Sequence, residues 1–139
     1  MSKVNELYAY FSVKGMFSPE EITTRLGILP TITWALGDLN PHNQKARSCS
    51  RWSLYSRLER SCALEEHVCD VLAQLQANRE GVREVALEYE GVLELVGYFH
   101  SAYPGLALHN DDLSEIADLG MSMDFDFYYL YSNYREDTD

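Results

Sequence analysis

The chain has 139 residues, 46% hydrophobic and 24% charged, with a net charge of −11. That length suits one globular domain burying roughly 70% of its unfolded surface, while the acidity excludes general nucleic-acid or anionic-membrane binding, which need Lys and Arg to meet phosphates. No window approaches the ~20 apolar residues of a membrane span, the N-terminus has no apolar signal segment, and Cys49, Cys62 and Cys69 form no C-x-x-C pair, so a reducing, cytoplasmic setting is expected.

In chain order, Leu7, Ala9, Phe11 and Val13 alternate with Tyr8, Tyr10, Ser12 and Lys14, the period of a half-buried strand. Ser18 followed three residues later by Glu21 makes a capping box, and Pro19 falls at N1. Phe17 and Ile22 stand at the staple positions, and Gly27 after Leu26 suits a left-handed helix stop. These signals predict a short helix from Pro19 to Leu26.

Thr31 to Leu36 is β-branched and aromatic and predicts a strand ending at Gly37-Asp38, followed by a polar loop from Leu39 to Ser50. Arg51 to Arg57 alternates again, with Trp52 and Leu54 on one face. Leu64, Val68, Val71, Leu72 and Leu75 form one stripe at helical spacing, predicting a helix from Cys62 to Asn78 capped by Ser61. Val82 to Glu90 alternates and is read as a strand, joined by a tight Glu90-Gly91 turn to another from Val92 to Ser101. Leu106 to His109 adds a short strand, and Asp111 or Asp112 caps a last helix ending at Leu119-Gly120. Met121 to Leu130 closes the fold, with Met123, Phe125, Phe127 and Tyr129 inward and Ser122, Asp124, Asp126 and Tyr128 outward.

The expected fold is α+β: a two-layer sandwich of a mostly antiparallel sheet with helices on one face, because amphipathic strands do not suit a doubly wound sheet. Tyr10-Phe11, helix, Leu26-Gly27, strand is echoed by Tyr98-Phe99, helix, Leu119-Gly120, strand, suggesting pseudo-duplicated β-α-β units. Residues 1–131 are expected to form this one domain and 132–139 a flexible acidic tail.

The segment from Phe17 to Asp38 (FSPEEITTRLGILPTITWALGD), Trp52 in RWSL, LEEHV and the closing LGMSMDFDFYY resemble the bacterial domain of unknown function 4279 family. The resemblance spans Tyr8 to Tyr129. It implies an α+β fold and a bacterial cytoplasmic setting, and it brings no activity. Where the family tends to carry basic residues around the tryptophan, this chain has Ile32 and Ala35, so no cation site is implied at those two positions.

Candidate chemistry is sparse. No G-x-S-x-G, P-loop, G-x-G-x-x-G or H-E-x-x-H occurs. Asp124 and Asp126, two apart on a strand, place carboxylates ~7 Å apart on one face, which suits acid-base work or a divalent cation but is equally the ordinary alternation of a half-exposed strand. No third ligand is placed, and Cys49, Cys62, Cys69 and His67 lack zinc-site spacing, so neither metal nor cofactor is expected. His67 and Cys69, at i and i+2 on a helix, do not face each other. Trp34 and Trp52, on adjacent strands, are read as a core pair or as a ligand platform. Asp38 is a turn residue placed to orient Arg47 or Arg51.

Two readings follow. Tyr8, Tyr10, Arg51, Tyr55, Arg57, Tyr98, His100, Asp124, Asp126 and Tyr128 are expected on the sheet face opposite the helices, which reads either as a solvated face with Arg51 or Arg57 in surface ion pairs to Asp124 or Asp126 or as a binding face. Tyr and Arg are favoured anchors of protein interfaces, so the first reading is a non-enzymatic protein-binding module, of the inhibitor or immunity kind, or a self-associating one. The alternative is a small-molecule or anion-binding protein or enzyme. Its residues come from the one acid-free stretch, Leu39 to Leu58, whose Lys45, Arg47, Arg51 and Arg57 carry +4 and leave −15 for the rest. Arg47, Arg51 and Arg57 would grip a carboxylate or phosphate, Trp34 or Trp52 would line the pocket, and Asp38 or Asp126 would serve as acid-base group.

Overall fold

A computed structural model describes residues 3–131; the expected tail, 132–139, lies outside the described residues. β1 (Glu6–Gly15) is the central strand of a five-stranded sheet with β2 (Ile32–Trp34), β3 (Ser50–Tyr55), β4 (Val92–Phe99) and β5 (Ser122–Tyr129), in the order β2-β3-β1-β4-β5. The three pairings β2·β3, β3·β1 and β1·β4 are antiparallel, and β4·β5 is parallel. The α+β sandwich expected from the alternating strands is the fold observed.

One parity of strand residues, Leu7, Ala9, Phe11, Val13, Trp52, Leu54, Leu93, Leu95 and Phe99, packs in a single core with the apolar stripes of the helices. Those helices are α1 (Pro19–Leu26), α2 (Leu64–Leu75), α3 (Arg79–Glu88) and α4 (Asn110–Asp118). The other parity stays out of that core and forms the outer face.

α1 starts and stops where its punctuation says. Ser18 Oγ accepts the Glu21 amide at 3.3 Å, and Gly27 takes a left-handed φ of 66° while its N–H donates to Thr23 O. Phe17 and Ile22 are both buried, as a staple requires.

Three local readings are corrected. The largest concerns Val82 to Glu90, which is helix α3 and not a strand. Val82, Val85 and Ala86 are its buried residues, an i, i+3, i+4 stripe that the alternation of Val85, Leu87 and Tyr89 obscured; Leu87 is 62% exposed. α2 stops at Leu75, a 3-10 turn (Gln76–Asn78) follows, and Asn78 restarts the helix by accepting the Gly81 amide at 3.0 Å. Gly81, read as following a helix end, sits inside the first turn because a Cβ there would lie 2.5 Å from Asn78 Nδ2. That same Nδ2 donates to Arg25 O and Leu26 O at 3.2 Å each, tying the end of α1 to the start of α3.

The second correction is capping. Ala63, not Ser61, precedes α2, and only the reciprocal half of a box forms, with Glu66 accepting the Ala63 amide at 3.1 Å. α4 is preceded by His109 rather than capped by Asp111 or Asp112, and residues 106–109 form no strand. Third, β5 is a half-covered edge. Met123 and Phe127 pack against the core, but Phe125 and Tyr129, expected inward, are 51% and 50% exposed on this edge strand. The suggested duplication is therefore partial: β4 and β5 pair directly as parallel neighbours, whereas β3 intervenes between β1 and β2.

Candidate functional site on the outer sheet face

With all four helices on the inner face, the outer face is built by register alone. Tyr10 stands opposite Tyr55 on one side and Glu94 on the other; Glu94 stands opposite Asp124, Val96 opposite Asp126, and Tyr98 opposite Tyr128. At the other end Lys14, Arg51 and Trp34 form one cross-strand row. The face is thus polar along the sheet, with cations toward β2 and carboxylates toward β5.

Aromatic rings fill the middle. Tyr10 and Tyr55 stack at 4.5 Å with planes 12° apart, and Tyr8 joins them at 5.7 Å from Tyr55. Tyr98 and Tyr128 stack at 4.8 Å across β4 and β5. Such pairs add ~0.5 to 1.5 kcal/mol each beyond area burial. Burial pushes the Tyr10 phenol up to about 12, against the opposing pull of the Arg51 guanidinium. Burial raises Tyr8 and Tyr55 likewise, so these rings stay neutral and serve as rigid apolar surface with a hydrogen-bonding tip. Tyr128 donates its hydroxyl to Asp126 at 3.0 Å, and that bond raises its phenol.

The cations of this face rest on rings rather than on acids. The Arg47 guanidinium lies 3.8 Å from the Trp34 ring centre, Arg51 lies 5.1 Å from Trp34 and from Tyr10, and Arg60 lies 4.3 Å from Tyr8. Among the described residues none of the three forms a salt bridge, and the Nε atoms of Arg47 and Arg51 are buried without a hydrogen-bond partner.

The structure gathers Trp34, Arg47, Arg51, Tyr55, Tyr98, Asp124 and Asp126 on or beside this face, and it removes four of the expected residues. Trp52 is fully buried in the core, its Nε1 donating to Thr23 Oγ1 at 3.0 Å. It aligns with Thr33, so Trp34 projects to the opposite side of the sheet and the two tryptophans are no cross-strand pair. Arg57 leaves the sheet and forks onto Asp70 of α2 at 2.7 Å, not onto Asp124 or Asp126. Burial alone would raise the Asp70 carboxyl, but the Arg57 hydrogen bonds and charge hold it below the usual range. Asp38 spends its carboxylate on the Ala35 amide at 2.8 Å, and only its carbonyl reaches Arg47, through the Arg47 amide at 2.7 Å. His100 lies one residue past β4, its amide held by Asn5 Oδ1. Lys14, Asn40, Asn43, Arg60 and Glu94 were not singled out from the sequence. The parity of β1 and β4 was the available signal for Lys14 and Glu94, whereas the loop residues had none.

One further contact has the distance of an activated nucleophile. Ser56 Oγ lies 2.6 Å from His67 Nδ1. His67, however, is completely buried, its Nε2 meets no orienting carboxylate, and Ser56 Oγ also accepts the Ala9 amide at 3.4 Å. No substrate reaches the imidazole, so the pair seats α2 against β1 and β3. Burial lowers the His67 pKa, more than the neighbouring Glu59 and Cys62 carbonyls and Asp70 raise it. Among the described residues no group of three or more His, Cys, Asp and Glu side chains is placed to hold a metal ion, and no helix is long and apolar enough to cross a membrane.

The chain matches the family described as domain of unknown function (DUF4279) over residues 5–130. It belongs to that family. The match covers every strand and helix of the sandwich, so the polarised outer face lies wholly within the family domain. No curated protein and no solved structure matches the chain significantly.

Proposed function

We propose that this DUF4279 protein is a non-enzymatic protein-binding module of the bacterial cytoplasm, of the inhibitor or immunity kind, which takes a basic protein on its outer sheet face. The observation that carries the reading is the β4–β5 half of that face, where Glu94, Asp124 and Asp126 flank the Tyr98–Tyr128 stack with no helix above them. Tyrosines supply large rigid contact area at low entropic cost, and carboxylates beside them speed encounter with a cationic partner and reject acidic ones. The net charge of −11 acts in the same direction at longer range.

Site-specific photo-crosslinking in cells tests it. A benzophenone side chain at position 98 should capture a basic protein that the same group at position 87, on the helical face, does not. The purified pair should then associate at a rate that falls steeply with salt and with D124N/D126N. Equal capture from both positions, or a salt-independent rate, overturns the reading.

A further inference from the structure

The opposite end of the outer face holds a cavity of about 270 Å³ whose lining includes Lys14, Trp34, Asn40, Asn43, Lys45 and Arg47. Every polar side chain among these six presents donors. Asn40 Oδ1 is taken by the His42 amide at 2.9 Å and Asn43 Oδ1 by the Lys45 amide at 2.9 Å. Each carboxamide is thereby fixed with its NH₂ left over, and among the described residues neither NH₂ meets an acceptor. The Arg47 guanidinium sits over Trp34, 3.8 Å from the ring centre, with its Nε buried and unpartnered, an N–H whose desolvation goes uncompensated in the protein alone. Among the described residues no carboxylate lines the cavity, in a chain with twice as many acids as Lys and Arg, 22 against 11.

The wall is also held in place. The Leu39↔Ala46 bridge, Asn40 N–H to Lys45 O at 2.8 Å and Arg47 N–H to Asp38 O at 2.7 Å turn this loop into a hydrogen-bonded extension of the β2–β3 hairpin, closed by Gln44 at a φ of 60°. Three cationic side chains and two oriented amides around one cavity are the complement of a multivalent oxyanion. The volume falls just below the ~300 to 1,000 Å³ of sites for drug-sized ligands, which suits phosphate or a small phosphate ester. We propose that this cavity is a phosphate site, occupied by free phosphate or a small phosphate monoester, with Arg47 the central ligand.

The inference stands apart from the protein-docking reading, since it uses the other end of the face. Its test is a titration followed by ¹H–¹⁵N NMR of the Arg47 Nε–H and the Asn40 and Asn43 side-chain amides. Inorganic phosphate and glycerol 3-phosphate are compared with sodium chloride at matched ionic strength. Saturable shifts of those three groups with phosphate or its ester, and none with chloride, are expected. A tighter fit for the ester would place its organic part against Trp34, and equal affinities would make the phosphoryl group the whole ligand; both support the site. Asn43→Asp keeps the acceptor for the Lys45 amide but puts a carboxylate in the wall. It should weaken binding at least ~10-fold, the worth of one charge-assisted hydrogen bond, with the backbone spectrum of the fold unchanged. Arg83→Gln, a cation on α3, should change nothing. Shifts that track ionic strength alone, or full binding by Asn43→Asp, would overturn the proposal.

Discussion

Six arginines among the described residues fall into two sets according to the layer they occupy; a seventh, Arg83 of α3, donates to the Asp118 carbonyl at 3.0 Å. In the helical layer Arg25, Arg57 and Arg79 each meet a carboxylate, Glu88, Asp70 and Glu115, and so tie helix to helix or helix to strand end. On the outer sheet face Arg47, Arg51 and Arg60 each lie on an aromatic ring, and among the described residues none meets an acid in a salt bridge, although Glu94, Asp124 and Asp126 share the same face. Structural arginines are neutralised where they stand. Those of the outer face rest on rings instead, and the tyrosine stack between the two ends separates the cations from the carboxylates.

The contrast between the layers can be broken most forcefully at the two tryptophans. Trp52→Ala empties the core and should lose about 3 to 5 kcal/mol in urea unfolding, with severe loss of folded protein. Trp34→Ala removes only a ring beneath arginines and should lose about 1 kcal/mol or less; a large loss would mean that the outer face is structural. Next, Asn78→Ala leaves the Gly81 amide and the carbonyls of Arg25 and Leu26 without their partner, and should lose about 1 to 2 kcal/mol.

His67 sharpens the contrast by pH. Its folded pKa lies below the ordinary 6.5, so between those two values the unfolded chain binds the extra proton. Its contribution is complete above pH 6.5 and falls by about 1.4 kcal/mol per unit as the pH drops toward the folded pKa. Unfolding measured between pH 7.5 and 5.5 should show this slope, and His67→Gln should remove it. The smallest effect is expected from Arg57→Gln. Stability should hardly change, while the Asp70 carboxyl, followed by NMR, titrates closer to the ordinary carboxylate range once its partner is gone.

The parts of the fold legible in the sequence are those with redundant local signals. α1 carries cap, N1 proline, staple and glycine stop together, and each agrees with the others. α3 failed because its two cues conflicted. Gly81 resembles a stop and Val85-Leu87-Tyr89 resembles a strand, whereas the reason for Gly81 is a close approach to Asn78 that only the tertiary fold creates. The outer face was legible as a parity, which placed Tyr8, Tyr10, Arg51, Tyr55, Tyr98, Asp124, Asp126 and Tyr128 together. Parity ends where a strand ends, so Arg57 and His100, beyond β3 and β4, were misassigned. The donor-lined cavity was legible in part: Arg47 and Trp34 belong to the anion-binding alternative read from the acid-free stretch, whereas the amide donors depend on Asn40 and Asn43 turning their oxygens to the backbone of their own loop.

An outer face open to a foreign partner leaves the chain monomeric, which light scattering behind a sizing column reads out. Wild type and Tyr98→Glu should both run as monomers near 15.9 kDa, with unchanged folding. A wild-type dimer that the Tyr98→Glu charge splits into monomers would contradict the account, because the face would then be covered by a second copy of the chain itself.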